Sequence, residues 1–120
     1  MAQRTVGRLS ARQVTNAKPK HGLDASLLAD GGNLYLQLTR GERGHLRRSW
    51  LFRYELNERR REMGLGALHT RSLKEAREEA KRLRQLLLDG IDPLEHRRKD
   101  IESRAVESAK NKTFSEVAAA

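Results

Sequence analysis

The chain has 120 residues, 37% of them hydrophobic and 34% charged, with no cysteine. That composition allows one small core and excludes a disulfide frame, a thiolate metal site and a thiol nucleophile. Its net charge of +9 is concentrated in the front half: residues 1–61 hold 13 Lys/Arg and 5 Asp/Glu, residues 62–120 hold 12 and 11, which points to a polyanionic partner.

Residues 1–8 read as a loose basic arm, in which MAQRTVGRLS lacks the apolar stretch of a signal peptide. A short helix begins at Ser10, with Ser10 as N-cap, Gln13 returning the capping bond, and Leu9 and Val14 spaced as a hydrophobic staple. It ends near Ala17, because the residue before Pro19 favours an extended backbone. Lys18 and Lys20 make its exit basic.

Four extended segments follow. Leu27-Leu28-Ala29 is a first strand, and Asp30-Gly31-Gly32-Asn33 is a turn. Leu34, Leu36 and Leu38 alternate with Tyr35, Gln37 and Thr39, giving a second strand with one apolar and one polar face. A glycine-bounded loop, Gly41 to Gly44, carries Arg43. Trp50, Phe52 and Tyr54 then point to one side and Arg47, Ser49, Leu51, Arg53 and Glu55 to the other. After Asn57 and Glu58, Met63 and Leu65 share a face opposite Arg60, Glu62 and Gly64. Residues 40–61 hold eight arginines against three glutamates.

Ser72-Leu73-Lys74-Glu75 is a capping box, and Leu73, Ala76, Ala80, Leu83 and Leu87 form the apolar stripe of a helix that Gly90 ends. The expected architecture is α+β: a small three- to four-stranded antiparallel sheet packed on this long helix, with a short N-terminal helix and a C-terminal spacer helix. The spacer starts at Asp92 as N-cap and Pro93 at the first helical position. Its apolar residues are sparse. Thr113 and Glu116 have the spacing of another helix start, so residues 113–120 read as the opening of a further domain in a longer protein.

The candidate chemistry is binding. The histidines His21, His45, His69 and His96 lack the paired spacing of a metal site, and no residue set indicates catalysis, a cofactor, a small-molecule substrate or a membrane span. A sheet with a polar face can enter a DNA major groove, where arginine reads guanine and glutamine reads adenine. The residues placed to read are Tyr35, Gln37, Thr39, Arg47, Ser49, Arg53 and Arg60; those placed to hold phosphates are Lys18, Arg43, Arg48, Arg59 and Arg61. Arg53 is the strongest of these, with an ion pair to Glu55, Glu62 or the helix as the competing role. A protein-interaction module using the same basic face is the alternative function. RNA binding is disfavoured, because Tyr35 alone among the aromatics lies on the polar face.

With these residues in view, the chain resembles the N-terminal arm-type DNA-binding domain of tyrosine-recombinase integrases of P4-like prophages. The matching stretches are Leu9 to Pro19, Asp30 to Leu36, Ser49 to Tyr54, Arg60 to Gly66, Ser72 to Arg77 and Gly90 to Pro93. The resemblance implies sequence-specific binding of double-stranded DNA at arm-type sites, in a bacterial cytoplasm, within an enzyme whose catalytic tyrosine lies in a later domain. Other integrase protomers are the further partners it implies. It divides the chain into an arm (1–8), the DNA-binding domain (9–91), a helical linker (92–112) and the start of a core-binding domain (113–120). The sequence departs from the family at Asn57-Glu58, where Asn-Gly is common and a type I′ turn wants positive φ twice.

Overall fold

A computed structural model describes residues 7–20 and 25–119, the last nine by backbone alone. His21 and residues 1–6 of the expected arm lie outside the described residues. The elements are α1 (Ala11–Asn16), β1 (Ala25–Gly31), β2 (Leu34–Arg40), a 3₁₀ turn (Glu42–Gly44), β3 (Leu46–Leu56), β4 (Arg59–Ala67), α2 (Leu73–Leu88) and α3 (Pro93–Ala119). The four strands form one antiparallel sheet in chain order, so each is hydrogen-bonded to its sequence neighbour.

Alternation decides which face is buried. Leu34, Leu36 and Leu38 of β2 stand beside Phe52, Trp50 and Arg48 of β3 in register, and Phe52 stands beside Met63 of β4. With Leu65, Val14 and the Ala76, Ala80 and Leu83 stripe of α2, the apolar members of this set make one buried cluster. Among the described residues no helix lies over the other face, which carries the polar side chains. Fully burying each large apolar side chain contributes about 1.5–3 kcal/mol before chain entropy is subtracted. Trp50 is buried at both ends of its chemistry, since its indole N–H donates to the Arg71 carbonyl at 2.8 Å.

The caps agree with the expected boundaries. Ser10 with Gln13, and Ser72 with Glu75, each form both bonds of a capping box. At the end of α2 the Ile91 amide donates to the Leu86 carbonyl at 2.8 Å and the Gly90 amide to the Leu87 carbonyl at 3.0 Å. This is a Schellman motif, and Gly90 adopts the positive φ of 75° that it requires.

Three local features differ from the sequence expectation. First, the turn after β1 is narrower, consisting of Gly32 and Asn33 alone, with φ of 60° and 74°. Asp30 is not a turn residue but a buried strand carboxylate, 1% exposed. Arg77 of α2 grips it with two prongs, Nε to Oδ2 at 2.9 Å and Nη2 to Oδ1 at 2.8 Å, and the Leu9 amide donates to Oδ1 at 2.9 Å. One carboxylate thereby joins the N-terminal segment, the first strand and the long helix. Arg8 is also fixed, its amide donating to the Asp30 carbonyl at 2.9 Å.

Second, the β3–β4 hairpin closes through Asn57 and Glu58 with φ of 53° and 65°. Both are positive, so the turn is of the I′ kind despite the glutamate, because its twist matches that of the strands. A non-glycine residue there carries a left-handed cost of roughly 1–2 kcal/mol. Glu58→Gly is expected to stabilise the domain by about 0.5–1 kcal/mol, the relief of that cost less the extra freedom of an unfolded glycine. A higher urea midpoint at unchanged slope is the observation that checks it.

Third, α3 is one continuous helix over Pro93–Ala119, with no break at Thr113. Its start is tied to the sheet: Asp92 accepts from the Leu94 amide at 3.0 Å, from Arg61 Nη1 at 2.9 Å and from the Tyr54 hydroxyl. Burial alone would raise the Asp92 carboxyl, but these donors outweigh it and hold it below its ordinary value. Burial, reinforced by the bond to Asp92, pushes the Tyr54 phenol up to about 12. Further along, Arg97 Nη1 donates to the Gly64 carbonyl at 3.0 Å, after which the helix is exposed from residue 98 to 110.

Candidate nucleic-acid interface

The strand register assembles the open face. Tyr35, Gln37 and Thr39 of β2 stand beside Leu51, Ser49 and Arg47 of β3 respectively. On the other side of β3, Leu51 stands beside Gly64, Arg53 beside Glu62, and Glu55 beside Arg60. All seven residues expected to read bases therefore lie on one surface, because even-spaced positions on paired strands share a face. Leu51 sits in the middle of it, walled by Tyr35 and only 7% exposed.

Charge is not spread evenly over this face. Toward the 3₁₀ turn, Arg47 is exposed, and Thr39, Glu42, Ser49 and His69 line one open hollow together with three arginines, Arg43, Arg47 and Arg48. Toward the Asn57-Glu58 turn, the arginines are paired. Arg53 Nε lies 3.2 Å from Glu62 Oε1, and Arg60 Nε lies 4.0 Å from Glu55 Oε2. The Arg53 guanidinium also covers the Tyr35 ring, 5.4 Å from its centre. The two pairs make a small square of alternating charge whose net is zero. Both are solvent-exposed, with side-chain exposures of 43% and 53% for Arg53 and Glu62, so each stabilises the fold by at most about 1 kcal/mol.

Of the five residues expected to hold phosphates, three are placed to reach outward. Arg43 is exposed in the 3₁₀ turn, Arg59 is exposed at the hairpin tip, and Lys18 is exposed in the segment after α1. The other two are used inside the domain. Arg48 stands beside Leu38 on the helix side, where its Nε donates to the Ala17 carbonyl at 3.0 Å. Arg61 lies beside Tyr54 on that same side and is bonded to Asp92, with Glu95 at 3.6 Å. The physical reason is the strand phase set by Trp50, Phe52 and Tyr54. Residues 48 and 61 fall on the buried face near its margins, where a long arginine covers the core with its stem and finds polar partners with its tip. The Arg48 bond also ties the chain next to Lys18 to the helix side of β3.

The acidic members of the face, Glu55 and Glu62, were not among the residues expected to bind. A signal existed in the two-residue periodicity, which places both of them on the arginine side. Among the described residues, no group of three or more His, Asp or Glu side chains is arranged to hold a metal ion, and no helix is long and apolar enough to cross a membrane.

The sequence that builds this sheet and helix is similar to known proteins. A family model described as an arm DNA-binding domain matches residues 9–100. An integrase of Enterobacteria phage P4 is 35% identical over 89 residues, a stretch that covers 72% of this chain and 19% of that protein. The chain thus spans about a fifth of that relative's length. On the breadth of the family match, which takes in the whole sheet, α2 and the start of α3, the chain belongs to the arm DNA-binding domain family.

Proposed function

We propose that the open sheet face binds arm-type sites in duplex DNA sequence-specifically and positions an integrase on them, as the accessory module of a site-specific recombination enzyme acting in the bacterial cytoplasm. The observation that carries this reading is the segregation of the sheet. One face is sealed by α2, while the other presents Tyr35, Gln37, Thr39, Arg47, Ser49, Arg53 and Arg60 together, with no helix among the described residues over them. The similarity to a phage integrase supports the recombination setting. Other integrase protomers, each bringing its own copy of the module, are the proposed protein partners.

In this reading the groove floor meets the middle of the face. Gln37, Arg47, Arg53 and Arg60 provide donors for base edges, and Ser49 and Thr39 adapt to either base type. Arg43, Arg59 and Lys18 stand around the rim, where they hold backbone phosphates and fix register without reading sequence. Arg48 and Arg61 position the surface from behind.

Rim and floor are separable by salt. Arg59→Ala is expected to weaken binding to all duplexes alike and to lower the slope of log K against log salt by about one unit, the release of roughly one counterion. Fluorescence anisotropy with two unrelated duplexes across a salt series is the check. An unchanged slope would remove Arg59 from the interface.

A further inference from the structure

The square of alternating charge asks why a surface proposed to hold a polyanion carries two carboxylates among its arginines near the Asn57-Glu58 turn. As a stabilising device it is weak, because both pairs are exposed. As a general DNA-binding device it is counterproductive, since each carboxylate repels phosphate and cancels a guanidinium that could release a counterion. Selectivity resolves the conflict. A carboxylate in a groove is favourable only where it meets an amino donor, and in the major groove the N4 amino group of cytosine is the donor suited to it.

We infer that Glu62 is a specificity-determining residue of the open face, accepting a hydrogen bond from a cytosine amino group while its partner Arg53 reads a nearby guanine. The inference rests on the duplex-binding role proposed above. Its geometry is particular to this pair. Arg53 and Glu62 are directly opposed on neighbouring strands, both are about half exposed, and their tips are 3.2 Å apart. Adjacent strands lie about 4.8 Å apart, comparable with the ~3.4 Å step between stacked bases, so two facing side chains can address neighbouring base positions. Tyr35 restricts Arg53 by stacking beneath its guanidinium, and Arg53 in turn restricts Glu62. Both groups are thereby placed before DNA arrives, and less side-chain freedom is lost on contact. Against a mismatched sequence the carboxylate has no donor and stays buried against base edges, which raises the cost of wrong sites more than it improves the right one.

The test is selection of bound duplexes from a library with a randomised central stretch, run in parallel with the full 120-residue chain and its Glu62→Gln variant. The substitution keeps the shape and removes the charge at an exposed position. The expected result is an enriched motif for the parent chain that contains a C·G pair, a preference that the variant loses at that pair by about tenfold while it retains the rest of the motif. The variant is also expected to bind random duplex at least as tightly as the parent. An identical motif of equal strength from both proteins overturns the role of Glu62 while leaving duplex reading intact. No motif from the parent chain overturns the reading on which the inference rests.

Discussion

Arg77→Ala is expected to lower the unfolding free energy at pH 7 by about 3 kcal/mol, and the loss is expected to shrink in acid. Asp30 is one of the most buried groups in the domain, and Arg77 supplies two of its three side-chain hydrogen bonds. Removing the guanidinium leaves a buried carboxylate with the Leu9 amide alone. The Arg77 side chain is itself 37% exposed, which keeps the figure at the low end of the range for a fully buried pair. The sign of the pH effect follows from the competing causes. Burial alone raises the Asp30 carboxyl, but the Arg77 bonds and the Leu9 amide outweigh it, so its folded pKa lies below the ordinary 3.8. In the parent chain this contribution is complete above that ordinary value and is lost as pH falls through the depressed one. In the variant, burial is no longer outweighed and the carboxyl rises instead, so protonation relieves the penalty. Urea unfolding of both proteins at pH 7 and pH 4 checks the prediction. A difference that is equal at both pH values, or below ~1 kcal/mol at pH 7, would contradict the role given to Asp30.

Arg53→Ala is the second large expectation, and it concerns binding. Loss of a guanidinium aimed at a base edge is expected to cost about 1–3 kcal/mol of affinity for the preferred duplex and to reduce discrimination at one position. The same change is expected to cost the fold less than about 1 kcal/mol, because the pair it breaks with Glu62 is exposed. The two numbers separate a reading role from a purely structural ion pair. Equal discrimination with a lowered unfolding midpoint would assign Arg53 to the fold alone. Thermal melts and competition binding on the same preparation measure both.

The elements that sequence made legible are those governed by local rules. The alternation of Trp50, Phe52 and Tyr54 against Arg47, Ser49 and Arg53 defined the two faces of β3, and register carried that division across the sheet. Ser72 with Glu75, and Gly90 with Ile91, marked both ends of α2 through backbone bonds spanning a few residues. What sequence obscured depends on distant partners. Asp30 looks like a turn residue because aspartate next to glycines usually is one; its burial depends on an arginine 47 positions away. Arg48 and Arg61 look like free cations until the strand phase is followed to the margins of the core, where Ala17 and Asp92 claim them. Glu58 disfavours the turn it occupies, and the pairing on either side overrides that local preference. Glu55 and Glu62 were visible on the arginine face by periodicity, yet residue type alone hid their place in the candidate interface.

These outcomes bear on how the proposed interface is built. The guanidiniums that reach outward are distributed in two ways. Arg43, Arg47 and Arg59 occupy the basic end and rim, whereas Arg53 and Arg60 are opposed by carboxylates in the square. A surface of this kind would draw affinity from its rim and selectivity from the restrained square. The tie from Asp92 to Tyr54 and Arg61 further anchors the first turn of α3 to the same hairpin, so that the helix leaves the domain in a fixed relation to the sheet.

The most direct test of the central proposal is an amide NMR titration of the chain with duplex DNA from the flanks of its own attachment site and with random duplex, both at about 0.15 M salt. Duplex binding by the open face predicts shifts concentrated at Gln37, Thr39, Ser49, Arg53 and Arg60, larger with the flanking DNA, and little change along α2. Shifts confined to α2 or α3, or none on the open face with either duplex, would contradict it.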